Sequence, residues 1–291
     1  HDSRHRPAAK LTENWPAAWS DWSGNPPDSP GWTTADEGRS YAIRDQGNQA
    51  AATIRWRHCL PRDWNPAEAP AHPVEPALVG DFQPYNQDPE YVALHRAPGL
   101  GVLLDGAHWV GDLAVECHLE SRAAGGMVVL DLVEAGVRHE CAIDLTTGQA
   151  AFVRGGEPLA TADCGVRGKG RWHVLFANVD DELSLFVNGR RIATDAATTW
   201  VRSIDEAAAS RPVVRGAAVG SEEPDDLAPV GITARGAEVS VADLRVLRDV
   251  YYVASGTQAA LIGRAPEEPA ISFPLGEDQF FMLGDNSSAS K

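Results

Sequence analysis

The sequence lacks long apolar runs and cysteine pairs at metal-binding spacing. No run of about 18 apolar residues occurs among its 291 residues, so no segment of it is predicted to span a bilayer. The four cysteines include no Cys-x-x-Cys, which argues against a zinc site. The nine histidines are scattered without ligand spacing. We therefore predict neither a metal nor a cofactor.

Basic residues are also scarce. Lys and Arg number 25 against 41 Asp and Glu, which gives a formal net charge of −16. This balance argues against a nucleic-acid partner and against docking on an anionic membrane through the chain's own side chains. Lysine in particular occurs only at Lys10, Lys169 and Lys291, none of them within an apolar strand pattern. Lys169 is predicted in an exposed turn.

What the sequence does contain is a series of short alternating segments. Apolar and polar residues alternate over lengths typical of strands, with turn residues between them at intervals of about ten residues. Asn188-Gly189 is the strongest hairpin signal. The pattern predicts an antiparallel β-sandwich with strands at 51–59, 109–120, 127–134, 137–145, 150–154, 159–164, 172–179, 183–187 and 237–246.

We predict three regions along the chain. Residues 1–40 form an irregular segment rich in Trp and Pro, residues 41–252 form the sandwich with a Pro-rich excursion at 61–76, and residues 253–291 form a linker and a short C-terminal piece. Trp15, Trp19 and Trp22 recur at helical spacing, which predicts a short N-terminal helix. A second short helix is predicted at Ile204–Ala209.

The cysteines leave two interpretations open. Cys117 and Cys141 each lie in an alternating segment and could pair across neighbouring strands in an oxidising compartment. Alternatively, they are small buried apolar residues, as free cysteines often are.

The order of strands and turns resembles the concanavalin A-like jelly roll of laminin-G-type and family-16-glucanase-type domains. The resemblance is carried by Trp172-His173-Val174, by Leu183 to Gly189 and by the closing segment Val239 to Arg248. It covers about half of the chain and implies an antiparallel sandwich. These motifs report the turns of a sandwich and do not report a chemistry.

The last residues carry a more specific motif. Phe280-Phe281-Met282-Leu283 runs into Gly284-Asp285-Asn286, and Ser290 follows at the fourth position after Asn286. On physical grounds this is a buried strand that enters a tight turn, since Gly tolerates positive φ and Asp and Asn bond back to the backbone.

This motif resembles the last catalytic box of type I signal peptidases, the membrane-bound serine proteases that remove signal peptides from secreted proteins. The family box continues with Asp-Ser-Arg, and this chain ends at Lys291, where those residues would begin. The step Arg248-Asp249-Val250-Tyr251-Tyr252 before it is similar to planctomycete-type members, in which a large β-domain is inserted between catalytic boxes. A plain turn in a secreted β-protein is the alternative.

The resemblance implies roles for residues of the box. Ser290 would orient the general-base lysine of the Ser/Lys dyad, and Gly284, Asp285 and Asn286 would shape the turn that presents it. The parent protein would act on signal peptides at the extracytoplasmic face of a bacterial inner membrane, through an anchor outside this chain. No Ser-x-Met-x-Pro box and no lysine in an apolar strand occurs, so we expect this piece to be inactive alone.

A secreted binding domain is the alternative function. Laminin-G-type and lectin sandwiches bind carbohydrate or protein through loops, often with calcium. Asp180-Asp181-Glu182 and Glu222 to Asp226 are acidic loops of that type, although a solvated acidic loop is the simpler interpretation. A glucanase activity is not expected: Glu116 and Glu120 lie on one face of a strand, and Asp131 and Glu134 lie close together, but neither pair fits the required spacing.

Overall fold

The computed structural model describes residues 18–22, 31–35, 39–43, 51–59, 76–80, 109–203, 210–215, 224–249 and 276. The chain divides into two compact units. The first comprises His1–Val79 and Val110–Asp249, and the second comprises Gly80–Trp109 and Val250–Lys291. Every strand named below belongs to the first unit.

The described residues form fourteen strands. Their bounds are β1 Trp19–Asp21, β2 Thr33–Ala35, β3 Ser40–Ile43, β4 Ala51–Trp56, β5 Leu113–Ser121, β6 Met127–Glu134, β7 Val137–Asp144, β8 Gln149–Arg154, β9 Glu157–Asp163, β10 Gly170–Val179, β11 Glu182–Val187, β12 Arg190–Arg191, β13 Val230–Arg235 and β14 Val239–Arg248.

The strands are arranged in two seven-stranded sheets. The front sheet has the order β12-β11-β10-β5-β14-β3-β2, and the back sheet has the order β1-β4-β13-β6-β7-β8-β9. Every pairing is antiparallel. The predicted fold class, a mainly β jelly-roll sandwich of the concanavalin A-like kind, is confirmed.

The core lies between the sheets and is built from alternate residues of the strands. Phe152 of the back sheet and Phe176 of the front sheet are fully buried, and their rings meet across the core at 6.4 Å between centroids. Ile54, Leu130 and Val174 are buried around them. Each such side chain stabilises the fold by about 1.5–3 kcal/mol through its removal from water.

Tight turns connect neighbouring strands where the sequence provides residues that accept positive φ. Asn188 and Gly189 have φ values of 51° and 76°, as a two-residue type I′ turn requires, so the predicted hairpin is confirmed. Asp180 and Asp181 adopt the same region at 52° and 60° between β10 and β11.

The predicted N-terminal helix is wrong over the part that the structure describes. Trp19–Asp21 is an edge strand in which Trp19 pairs with Trp56 of β4, and the backbone N–H of Trp22 donates to Thr53. Burial of Trp19 and Trp22 against the sheet outweighs their helical spacing. Trp15 and the helix predicted at Ile204–Ala209 lie outside the described residues.

All four cysteines are buried free thiols. Cys117 belongs to the front sheet and Cys141 to the back sheet, so they do not lie on neighbouring strands as the pairing interpretation required. Burial raises the pKa of the Cys117 thiol to about 12. The structure therefore agrees with the interpretation of these residues as small buried apolar groups.

Candidate functional site

Polar side chains of several strands converge on the outward surface of the front sheet. Strand register places them in rows that cross the sheet. One row runs from Phe186 and Leu175 through Glu116 to Arg245, and the next pairs His173 with His118. We call this surface the front face, and its outward residues are Glu116, His118, Glu120, Arg171, His173, Leu175, Phe186, Asp243 and Arg245.

A β-bulge in β14 shapes the front face. The register of β14 against β5 shifts between Ala242 and Arg245, and Asp243 has a φ of 52°, which is unusual for a residue with a side chain. Such bulges bend a strand and redirect its side chains. Here the bulge brings Asp243 to His118 and sets Arg245 opposite Glu116.

Glu116 lies at the centre of the front face and is held from both sides. His173 Nε2 donates to Glu116 Oε1 at 2.7 Å, and Arg245 Nη1 donates to Glu116 Oε2 at 3.4 Å. The Glu116 side chain is 15% exposed, whereas the side chains of His173 and Arg245 are 36% and 39% exposed. The carboxylate is therefore fixed in direction while its partners keep donors accessible to a ligand.

A second histidine–carboxylate pair lies beside the first. His118 Nδ1 donates to Asp243 Oδ2 at 3.1 Å, and both side chains are about half exposed. The rings of His118 and His173 meet with centroids 5.1 Å apart and planes inclined by 42°. Two imidazoles and two carboxylates from three strands thus form one continuous polar cluster.

The rest of the front face supplies arginines at one end and apolar surface at the other. Arg122 and Arg171 donate to Glu120, and their hydrogen bonds lower the pKa of that carboxyl. Leu175 and Phe186 are directly opposed on β10 and β11 and are half-buried. A ligand on this surface would meet charged hydrogen-bonding groups next to an aromatic ring.

A different polar cluster closes one end of the sandwich. Glu134 of the back sheet accepts hydrogen bonds from Asn178 Nδ2 of the front sheet at 2.8 Å and from Arg202 Nη2 at 2.6 Å. His139 stacks on Trp200 at 5.0 Å. Burial lowers the pKa of His139 to about 4, so this imidazole is neutral near pH 7. The bond between Glu134 and Asn178 ties the two sheets together, and Glu134, Asn178 and His139 are buried.

A buried ion pair lies on the side of the back sheet that faces away from the core. Arg55 Nη1 donates to Asp131 Oδ1 at 2.8 Å, and Arg138 Nη2 donates to Asp131 Oδ2 at 3.2 Å. Burial would raise the pKa of Asp131, but the two guanidinium charges outweigh it and hold that pKa below its ordinary value. Arg55 Nε also donates to the carbonyl of Ala228, and Arg138 Nη1 also pairs with Glu140 at 3.3 Å. The pair therefore links β4, β6, β7 and the segment before β13, which indicates a structural role.

The two described aspartates of the acidic stretch Glu222 to Asp226 serve the backbone, whereas Asp181 and Glu182 of the other acidic loop pair with Arg202 and Arg191. Asp226 accepts hydrogen bonds from the N–H groups of Ala135, Gly136 and Val213, and Asp225 accepts from Leu227. Both carboxylates are fully buried, so the expectation of a solvated loop is wrong at these two residues. Within the described residues, no group of three or more His, Cys, Asp or Glu side chains is arranged to hold a metal ion.

The sequence prediction that Glu116 and Glu120 share one face of a strand is confirmed, and both point outward from β5. The residues predicted for the signal-peptidase box, Gly284, Asp285, Asn286 and Ser290, lie outside the described residues. Sequence reasoning missed His118, His173 and Arg245 as a group. No helix that the structure describes is long and apolar enough to cross a membrane.

Comparison with known proteins gives similarity at the level of fold. No protein-family model matches the sequence, and no curated protein does. The carbohydrate-binding module CBM66 of Bacillus subtilis is similar with a TM-score of 0.41 and 9% identity, covering 79% of this chain and 94% of that one.

Two further solved structures are similar. One is the exoplasmic/lumenal domain of VIP36 in a Ca²⁺/Man3GlcNAc-bound form, with a TM-score of 0.41, 6% identity and coverage of 83% of this chain and 88% of that one. The other is the galectin LEC-6 of Caenorhabditis elegans, with a TM-score of 0.31, 12% identity and coverage of 47% and 84%. Because these scores and identities are low, the similarities carry no argument about function.

Proposed function

We propose that the sandwich is a carbohydrate-binding domain and that the front face is its binding surface. The observation that carries the proposal is the bulge in β14, which gathers Asp243 and Arg245 against His118 and Glu116. The positive φ of Asp243 is the local conformation that accommodates the extra residue of the bulge and directs these side chains to one place on the outer surface.

The chemistry of the front face suits a sugar. A pyranose ring presents hydroxyl groups at its edge, which both donate and accept hydrogen bonds, and C–H groups on its faces. Glu116 supplies a carboxylate acceptor, Arg245 and His173 supply donors, and Phe186 supplies an aromatic surface in the same row as Glu116. Binding sites typically combine apolar surface with a few oriented polar groups in this way.

Carbohydrate binding also agrees with the fixed direction of the central carboxylate. Because Glu116 is held by His173 and Arg245 before any ligand arrives, a sugar would not have to order that side chain. Preorganisation of this kind lowers the entropic cost of binding.

The test is a glycan array probed with the full chain and with two charge-matched variants. Glu116→Gln removes the central carboxylate, whereas Glu157→Gln makes the same change on exposed β9 of the back sheet. A hydrogen bond to a charged group is worth about 1.5–3 kcal/mol, so Glu116→Gln should weaken binding roughly ten- to hundredfold. Binding that both variants retain equally would overturn the proposal, as would no binding to any glycan.

A second proposal concerns the parent protein. We propose that the chain is part of a membrane-anchored bacterial type I signal peptidase, with the sandwich as an accessory domain on the extracytoplasmic side. The motif from Gly284 to Ser290 favours this, and so does the step from Arg248 to Tyr252 that precedes it in the sequence.

This second proposal is compatible with the first because the two concern different residues. It is tested by reading the gene on both sides of the chain. Asp-Ser-Arg directly after Lys291, with a Ser-x-Met-x-Pro box and an apolar anchor upstream, would support it. A stop codon after Lys291 would refute it.

A further inference from the structure

His118 and His173 lie side by side with a ring spacing that suits two histidine ligands of one metal ion. They are directly opposed in the register of β5 and β10, and both point outward on the front face. Their ring centroids are 5.1 Å apart. Imidazole nitrogens bind Zn²⁺ at about 2.0–2.1 Å, so two rings on one tetrahedral ion have centroids roughly 5 Å apart.

Each imidazole forms a hydrogen bond with a carboxylate through one ring nitrogen. This bond determines which nitrogen of each ring remains available to bind a metal ion. An ionised carboxylate only accepts hydrogen bonds, so His118 carries its proton on Nδ1 towards Asp243 and His173 carries its proton on Nε2 towards Glu116. In the neutral rings the lone pairs are then on His118 Nε2 and His173 Nδ1. Among the described residues, no hydrogen-bond partner is seen for either of these nitrogens.

Histidines that bind metal ions in proteins commonly donate their other ring N–H to a carboxylate. The carboxylate fixes the tautomer and the ring direction and makes the opposite nitrogen a better ligand. Here the arrangement occurs twice in adjacent strands. The bulge at Asp243 supplies one of the two carboxylates.

We infer that His118 and His173 form a two-histidine site for a divalent transition-metal ion such as Zn²⁺. Water would have to complete the coordination, because no group of three or more His, Cys, Asp or Glu side chains among the described residues is arranged to hold a metal ion. His118 is 60% exposed and His173 36% exposed, so an ion can reach both rings from solvent. The inference goes beyond carbohydrate binding and does not depend on it.

The test is calorimetric titration of the full chain with ZnCl₂, using wild type, His118→Gln, His173→Gln and the double variant. We expect one tight binding event that weakens more than about tenfold in each single variant and is absent from the double variant. Glu157→Gln, on the back sheet, is the control and should bind as wild type does. The chain has nine histidines, so the seven outside the pair could give weak Zn²⁺ binding. That weak binding should be the same in the wild type and in all four variants.

Two further measurements distinguish a built site from adventitious binding. Zn²⁺ should perturb the ¹⁵N signals of His118 Nε2 and His173 Nδ1 together. Asp243→Asn should weaken binding about 10- to 100-fold through loss of the carboxylate behind His118. Equal Zn²⁺ affinity in wild type and the double variant, or no effect of Asp243→Asn, would overturn the inference. Glycan binding measured with a chelator present reports on the carbohydrate proposal separately.

Discussion

Replacement of Gly231 by alanine should destabilise the sandwich severely, although only one methyl group is added. Gly231 lies on β13 directly between Arg55 of β4 and Asp131 of β6. A Cβ at this position would lie 2.5 Å from Arg55 Nη1 and closer still to Asp131 Oδ2. The methyl group and the ion pair therefore cannot occupy the same space.

The magnitude follows from the burial of the pair. Arg55 and Asp131 have side-chain exposures of 2% and 0%, so separating them leaves charges that solvent cannot reach. Breaking a buried ion pair costs about 3–5 kcal/mol. Since domains are commonly stable by about 5–15 kcal/mol, this loss is a large fraction of the total.

The assay is denaturant unfolding followed by tryptophan fluorescence, with Gly125→Ala as the matched control. A Cβ at Gly125 would meet the hydroxyl of Thr146 at 2.9 Å, which is the end of a movable side chain. The control should lose less than about 1 kcal/mol. In an Asp131→Ala background the additional cost of Gly231→Ala should fall, because the clashing carboxylate is gone. Equal losses for Gly231→Ala and Gly125→Ala would refute this reasoning.

Three further stability predictions concern titratable groups that are buried, as His139 and Asp226 are, or half-buried, as Asp112 is. His139→Phe keeps a ring against Trp200 but removes titration. Burial lowers the pKa of His139 in the folded state from 6.5 to about 4. The free energy of unfolding of the wild type should therefore fall by about 3 kcal/mol relative to that of this variant as the pH falls from 6.5 to 4. A difference in stability that does not change with pH would contradict this prediction. The pH dependence of stability due to Asp112 has the opposite sign. Burial, and after it the charge of Glu134, raise the pKa of Asp112 in the folded state to about 6. Asp112→Asn should stabilise the fold near pH 7 by up to about 3 kcal/mol, and the gain should disappear as pH falls from 6 to 3.8; a constant gain across that range would refute this origin. Asp226→Ala leaves three backbone N–H groups without their acceptor, so it should lower the free energy of unfolding by more than about 3 kcal/mol. Urea titration measures this difference. A loss below about 1 kcal/mol would contradict the prediction and would mean that water replaces the carboxylate.

Local patterns predicted most of the sandwich. The β6 strand at Met127–Glu134 and the Asn188-Gly189 turn were predictable because alternation and turn chemistry are properties of neighbouring residues. The β13 strand at Val230–Arg235 was missed. It is a central strand that is buried over its first five residues, so it shows no polar alternation.

The candidate site depends on contacts that a local pattern does not contain. His118 and Asp243 are 125 residues apart in sequence, and Glu116 and Arg245 are 129 apart. Their meeting requires the pairing of β5 with β14 and the register shift inside it. The sequence could predict that Glu116 and Glu120 share a face, because that needs only the period of two.

The acidic residues at Asp225 and Asp226 illustrate the same limit. Their sequence is typical of a solvated loop, yet both are buried. Asp226 accepts from the N–H groups of Gly136 and Val213, and Asp225 accepts from those of Arg215 and Leu227. Whether an acidic cluster binds an ion, faces water or caps a turn depends on where other elements end.

The most direct test of carbohydrate binding at the front face is NMR mapping. The ¹⁵N-labelled full chain would be titrated with a panel of mono- and oligosaccharides while backbone amide shifts are followed. We expect at least one sugar to perturb the amides of β5, β10 and the bulge of β14 and to leave those of the back sheet unchanged. Perturbations confined to the back sheet, or none with any sugar, would contradict it.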